Sequence, residues 1–213
     1  MHIIWHGQNC FQIITQKIKD GQVNIVIDPF SKEIGLKPPS LSADILLISH
    51  NQHHNLKSIK GNPFLISGPG EYEVKRVFIQ GIPSKELSDK QSERNTIYTI
   101  ESEEIRICYL GNLKQKELNK NQLEEIGEVD ILIIPIGGTD TINSKQASEI
   151  INQIEPKIVI PMHYQIPKLK LKLKSLKEFL KVMGQSSIEP QNKLIIKKKN
   201  LSGEEIKIIV LKP

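Results

Sequence analysis

Three of the six histidines in this chain fall within five residues. They lie in "SHNQHHN", as His50, His53 and His54, with Gln52 and Asn55 among them. A fourth histidine, His163, follows the apolar run "KIVIPM". Imidazoles at short spacing on a loop can hold a divalent ion, and an ion with an open position activates water. The same residues can also be the remains of such a site, or a polar loop whose histidines bond locally. Other chemistries have less support. "GPGEY" lacks the third glycine of a dinucleotide fingerprint, and "PIGGTDT" lacks the Lys-Ser/Thr of a phosphate loop. No G-x-S-x-G elbow or catalytic cysteine setting is present. His2 and His6 stand near the first strand without a ligand partner at motif spacing and read as hydrogen-bonding residues.

These residues must be positioned by strands. "HIIW", "CFQIIT" and "VNIVID" are short β-rich runs, and "DILLIS" has the continuous apolar character of a strand buried on both faces. "PFLISG", "YEVKRVFIQGI", "NTIYTIES" and "EIRICYLGN" continue as a meander. The pattern then alternates. The spacing predicts helices over 115–126, 143–154 and 173–184, separated by the strands "VDILIIPIGG" and "PKIVIPMHY". "KLIIKKKN" and "EEIKIIVLKP" read as a closing pair of strands. Three apolar strands end in polar residues at comparable places, at His50, Asn112 and His163. Ligands gather beyond the carboxyl ends of strands in sheets flanked by helices, so a shared edge would bring these three to one cleft.

The bulk composition narrows the setting. At 213 residues, 38% hydrophobic and 25% charged, the chain fits one soluble domain spanning 1–213, with a basic helix and strand pair from about 168 completing it. No apolar run approaches a membrane span, and the N-terminus lacks a signal-peptide pattern, so the cytoplasm is expected. Cys10 and Cys108 are too few for a disulfide framework. The net charge of +5 comes largely from lysines late in the chain. Without interleaved aromatics these read as a solvated face rather than a nucleic-acid interface. A homo-oligomer is left open.

The ordered segments "WHGQNCFQI", "VIDPF", "ADILLISH", "ISGPGEYEV", "NTIYTIE", "YLGN", "VDILIIPIGG" and "PKIVIPMHY" resemble the metallo-β-lactamase superfamily. The branch most resembled is that of small Zn-dependent hydrolases similar to L-ascorbate-6-phosphate lactonase. The resemblance covers the chain to about Gly184. It implies an α/β (α+β) fold, an αββα sandwich of two mixed sheets with helices outside, and a site at the sandwich edge. The loop after the buried strand in that family reads H-x-H-x-D-H. Here His50 keeps the first position and His163 keeps the late one. Gln52, His54 and Asn55 replace His, Asp and His. Glu86 falls near a further His position, and Asn112 stands where a bridging Asp belongs. Glu71 and Tyr72 are expected to help line the cleft.

Those replacements remove carboxylates that offset the repulsion of two close ions, so a two-metal centre is not expected. One Zn ion, or none, is. His50, His54 and His163 with Glu86 form the candidate ligand set, with His53 as an alternative and Glu86 and His54 as candidate catalytic groups. One reading is a metal-dependent hydrolase acting on a lactone, ester or phosphoester. Another is a catalytically silent member of the fold that binds a small molecule or serves as a structural module.

Overall fold

Short runs of β-branched residues dominate the first half of the chain, and nearly all of them pair. A computed structural model describes residues 1–16, 21–51, 54–84, 94–201, 203 and 205–213. In chain order the strands are β1 (His2–Trp5), β2 (Phe11–Gln16), β3 (Gln22–Ile27), β4 (Leu41–Ser42), β5 (Ile45–Leu47), β6 (Ile59–Lys60) and β7 (Phe64–Ile66). Next come β8 (Gly70–Val74), β9 (Val77–Pro83), β10 (Thr96–Ser102) and β11 (Ile105–Tyr109). Helices then alternate with strands: α1 (Lys120–Ile126), β12 (Ile131–Pro135), α2 (Ser144–Ile154), β13 (Ile158–Met162) and α3 (Leu176–Val182). β14 (Leu194–Ile195) and β15 (Lys207–Ile208) close the chain.

Two large mixed sheets result. The first has the order β14-β1-β2-β3-β5-β7 and the second β15-β13-β12-β11-β10-β9-β8. In the first, β1, β2 and β3 are antiparallel while β3, β5 and β7 run parallel. In the second, β11, β12, β13 and β15 run parallel. Inward side chains of both sheets, including Trp5, Phe11, Ile27, Ile45, Tyr98 and Tyr109, form one core. The parallel strands β12 and β13 are buried at every residue, which is why "ILIIP" and "IVIPM" show no alternation.

The helices follow local rules. α2 buries Ala147, Ile150, Ile151 and Ile154, spaced to share one face. Each isoleucine removed from water contributes on the order of 2 kcal/mol. Asn143 caps this helix, with Gln146 completing a capping box. α1 begins later than the spacing predicts, because Asn119 caps it and Gln115 instead exchanges side-chain hydrogen bonds with Gln122. The outer face of the first sheet is covered differently. There Val26, Ala43, Leu46 and Ile48 form a second small core under Leu41 of β4 and Ile59 of β6.

The expected closing strand pair is corrected. β14 pairs with β1 in the first sheet, and β15 pairs with β13 in the second. Each finds a free edge on a different sheet, so the last residues of the chain tie both sheets together.

Among the described residues no helix is long and apolar enough to cross a membrane. Cys10 and Cys108 are free and fully buried. Burial pushes both thiols up, Cys108 to about 12. Neither is expected to react with a thiol-reactive dye at neutral pH in the native protein, while both react in denaturant. Rapid labelling of the native chain would contradict this packing.

Candidate functional site

Parallel pairing of β3 with β5 sets their carboxyl ends side by side. Asp28 follows β3, and Ser49 and His50 follow β5. The Asp28 carboxylate is fully buried and receives three hydrogen bonds. Ser49 N–H donates to Oδ1 at 2.8 Å, Ser49 Oγ–H to Oδ2 at 2.5 Å, and the Tyr109 hydroxyl to Oδ2 at 2.6 Å. His50 Nδ1 lies 3.4 Å from Oδ2, and His54 Nε2 lies 3.9 Å from Oδ1. Burial alone would raise this carboxyl. The His50 and His54 imidazoles, together with the Ser49 bonds, outweigh burial and hold it at about 2. His54 Nε2 also bonds the His50 carbonyl, and the two rings tilt against each other with centroids 4.7 Å apart.

The second sheet supplies the facing wall. Gly111 and Asn112 follow β11, and His163 follows β13. Asn112 Oδ1 accepts from Asn9 Nδ2 at 2.7 Å, and its backbone N–H donates to Asn95 Oδ1 at 2.7 Å. Asn95 in turn donates to the Leu110 carbonyl, which fixes this loop from both sides. His163 is buried, and its Nδ1 lies 3.5 Å from Thr141 Oγ1. Burial, then the neighbouring His50, pushes its imidazole down to about 3, so it is neutral at pH 7. Gly137 packs directly on the His163 carbonyl, where a Cβ has no room.

Between these walls is a cavity of about 40 Å³. Asp28, His50, His54, Asn112 and His163 line it, with Gln8 and Asn9 from the loop after β1. Trp5 Nε1–H holds that loop by donating to the Gln8 carbonyl at 2.9 Å. Asp140 is exposed at the rim, and Phe30, Ile34 and Leu171 complete the lining.

Backbone conformation marks the same place independently. Nine non-glycine residues among those described have positive φ. Lys75–Arg76 and Glu103–Glu104 turn between adjacent antiparallel strands, and Glu155 ends α2. Of the other four, Gln8 (φ 53°), Asp28 (φ 45°) and His163 (φ 52°) all line the cavity. Left-handed backbone costs about 1–2 kcal/mol per residue and concentrates where function requires a particular side-chain direction.

The candidate residues therefore divide. His50, His54, Asn112 and His163 meet at one cavity. Gln52, His53 and Glu86 lie outside the described residues. Asn55 is not among the lining residues. Its backbone N–H donates to the Pro29 carbonyl, and its own carbonyl accepts from Ser58, opening a short 3-10 turn. Glu71 and Tyr72 do not line this cavity either. The turn at Pro69–Gly70 carries the chain to the far edge of the second sheet, where they border a separate groove with Phe78 and Arg106. His6 Nε2 faces Gln12 Oε1 at 3.3 Å, a local bond away from the cavity. Asp28, Gln8, Asn9 and Asp140 were not singled out by sequence reasoning. The signal for Asp28 was available, since it too is a polar residue ending an apolar strand.

The donor set suits a divalent ion. One ligand atom each from Asp28, His50 and His54 lies within 4.8 Å of the others. The carboxylate has about four acceptor positions, three are used, and one on Oδ1 remains. Two buried acceptors on the cavity wall, Gln8 Oε1 and Asn9 Oδ1, have no hydrogen-bond partner. Such groups call for a donor inside the cavity.

Comparison with known proteins agrees with this arrangement. The family profile described as the β-lactamase superfamily domain matches residues 2–163. A UPF0173 metal-dependent hydrolase of Thermoplasma acidophilum is 28% identical, over 77% of this chain and 83% of its own length. A UPF0173 protein of Pyrococcus abyssi is 26% identical over the same shares. The crystal structure of a candidate Zn-dependent hydrolase of the metallo-β-lactamase superfamily from Thermotoga maritima superimposes with a TM-score of 0.80. It is 35% identical and covers 99% of this chain and 97% of that one. The family profile covers most of the chain and the Thermotoga maritima structure shares its shape over nearly the whole length, so the chain belongs to the metallo-β-lactamase superfamily.

Proposed function

We propose that this chain is a metal-dependent hydrolase built around a single ion, with Asp28, His50 and His54 as its holders. The observation that carries this reading is the convergence of their three donor atoms on one small cavity. A divalent ion bound there supplies a Lewis acid that polarises a carbonyl or phosphoryl oxygen and acidifies water. Relatives named as metal-dependent hydrolases support the reaction class.

The chain's own residues set the remaining terms. Asp28 contributes the negative charge, and burial makes that charge strongly felt. Burial also lowers the His54 imidazole despite the attraction of Asp28, which keeps it neutral; with Nε2–H on the His50 carbonyl, the lone pair is on the buried, unpartnered Nδ1. Neutral His163 lines the opposite wall, where it can hydrogen-bond a reacting group without carrying charge. Gln8 Oε1 and Asn9 Oδ1 are placed to accept hydrogen bonds from water and orient it. Asn112 is uncharged and already engaged with Asn9. Among the described lining residues Asp28 is the only buried acid, which supports one ion rather than two. Lactones, esters and phosphoesters are the bonds this arrangement suits.

The test is elemental analysis of protein purified without a metal-affinity tag. About one Zn, Mn or Fe per chain is expected, falling at least about tenfold in His50→Ala and His54→Ala, as removal of a ligand requires. No stoichiometric metal, even after incubation with Zn²⁺ and removal of the excess, would sink the hydrolase reading and leave a silent binding module.

A further inference from the structure

A cavity of about 40 Å³ takes an ion and little else, so most of any substrate must be recognised outside it. The segment that borders it outside is "KLKLKLK", Lys168 to Lys174. Its alternation is strict. Leu169, Leu171 and Leu173 pack on the core, while Lys168, Lys170, Lys172 and Lys174 are exposed. It is not a strand of either sheet. It crosses the site as a strap, pinned to distant parts of the chain by three bonds, besides local ones to Gln165 and Ile166. Lys170 N–H donates to the Ile34 carbonyl at 2.9 Å, and Lys174 N–H donates to the Gly137 carbonyl at 2.8 Å. The Lys172 carbonyl accepts from Thr139 Oγ1 at 2.5 Å. Leu171 reaches down to line the cavity between these anchors. Lys170 and Lys172 flank Leu171 in the chain and, being exposed, lie on the outer side of the segment that covers the cavity.

Nearby acids leave this charge largely unbalanced. Glu178 pairs with Lys174 at 3.7 Å, Asp140 sits exposed at the rim, and Glu33 on the neighbouring turn is flanked by Lys32 and Lys37. Among the described residues Lys168, Lys170 and Lys172 form no ion pair with an acidic side chain. Three unpaired ammonium groups on a backbone tied down at three points make a pre-placed cationic edge. Long flexible stems let them adjust to an anion without moving the strap.

We infer that this strap is the recognition element for a polyanionic substrate, a small molecule carrying two or more phosphate or carboxylate groups held outside the cavity. The inference rests on the reading of the cavity as the reacting site. Charge complementarity favours a compact polyanion over nucleic acid, because no aromatic residue stands among the lysines to stack on bases.

Inorganic tripolyphosphate is the probe, titrated calorimetrically into the full chain at low and high salt. The wild type is expected to bind one per chain and to weaken with salt. K168Q/K170Q/K172Q should weaken binding about tenfold, the sum of three exposed charge pairs. Lys170→Glu alone should weaken it severalfold. K193Q/K197Q/K199Q, which removes three exposed lysines elsewhere, should leave it unchanged. H50A/H54A should lose metal yet keep tripolyphosphate, so failure of the metal reading and failure of this one are separately visible. Equal losses in the two triple variants would reduce the effect to net charge and overturn the inference. Tight binding of single-stranded RNA through these lysines, with none of tripolyphosphate, would overturn it in favour of a nucleic-acid face.

Discussion

Asp28→Ala is expected to destabilise the protein by about 3–5 kcal/mol and to abolish stoichiometric metal binding. The alanine would leave the Ser49 N–H without its acceptor in a fully buried place, while the Ser49 hydroxyl would fall back on His50 Nδ1 at 2.8 Å and the Tyr109 hydroxyl on the Asn9 carbonyl at 2.9 Å. An orphaned buried donor costs about 1–3 kcal/mol, and the uncompensated loss of the buried carboxylate adds to it. The substitution would also remove the buried negative charge that, on the proposed reading, balances the ion. Asp28→Asn separates the two effects. Its amide keeps the Ser49 N–H bond, and both hydroxyls can turn to accept, so the fold should survive at a smaller cost while metal is lost. Urea unfolding and metal content on both variants check this. A wild-type midpoint for the alanine variant would show that the network contributes nothing.

The same carboxylate sets an acid limit for the metal-free chain. Its folded pKa, about 2, is depressed below the ordinary value of 3.8. Stability from a depressed carboxyl is present in full above the unfolded pKa and is lost as pH falls through the folded one. The shift corresponds to about 2 kcal/mol, lost between about pH 4 and pH 2. Acid unfolding of Asp28→Asn should lack this component.

The second large effect is expected at Gly111, and it comes from space rather than charge. Gly111 sits at φ +59°, and an added Cβ would run into Asn95 Oδ1 and the Ser49 side chain. Both neighbours are held, Asn95 by the Asn112 N–H and the Leu110 carbonyl and Ser49 by Asp28. Gly111→Ala is therefore expected to cost about 3 kcal/mol, combining left-handed strain of about 1–2 with overpacking of about 1–3. Gly184→Ala is the matched comparison, with φ +70° and nothing within 4 Å of the new methyl. It carries the backbone strain alone. If the two variants melt at the same temperature, the crowding at Gly111 is not real.

Much of this site was legible because its residues sit at the ends of apolar runs. His50 after "ILLIS", Asn112 after "YLG" and His163 after "IVIPM" each announce a strand ending in a polar group; the expected single shared edge is corrected, because parallel order aligns only Asn112 and His163 in the second sheet, and His50 meets them across the cavity from the first. Asp28 ends a run in the same way but is followed by Pro29, so "VIDPF" reads first as a chain break. Its partners Ser49 and Tyr109 are 21 and 81 residues away, and no local pattern joins them. Asn55 was misplaced for the opposite reason. The family resemblance put it in a ligand position, but its backbone is spent on Pro29 and Ser58 and its side chain is not among the described lining. The closing strands misled because each is only two residues long. At that length the edge available decides pairing, not the segment's own pattern.

The alternation in the strap has an evolutionary consequence. One set of positions, the leucines, answers to packing, and the interleaved set, the lysines, answers only to solvent and ligand. Selection can rewrite the second set one residue at a time without passing through a misfolded intermediate. On the proposed reading, a single short segment gives this scaffold a way to change which molecules it admits while the buried Asp28 network stays as it is.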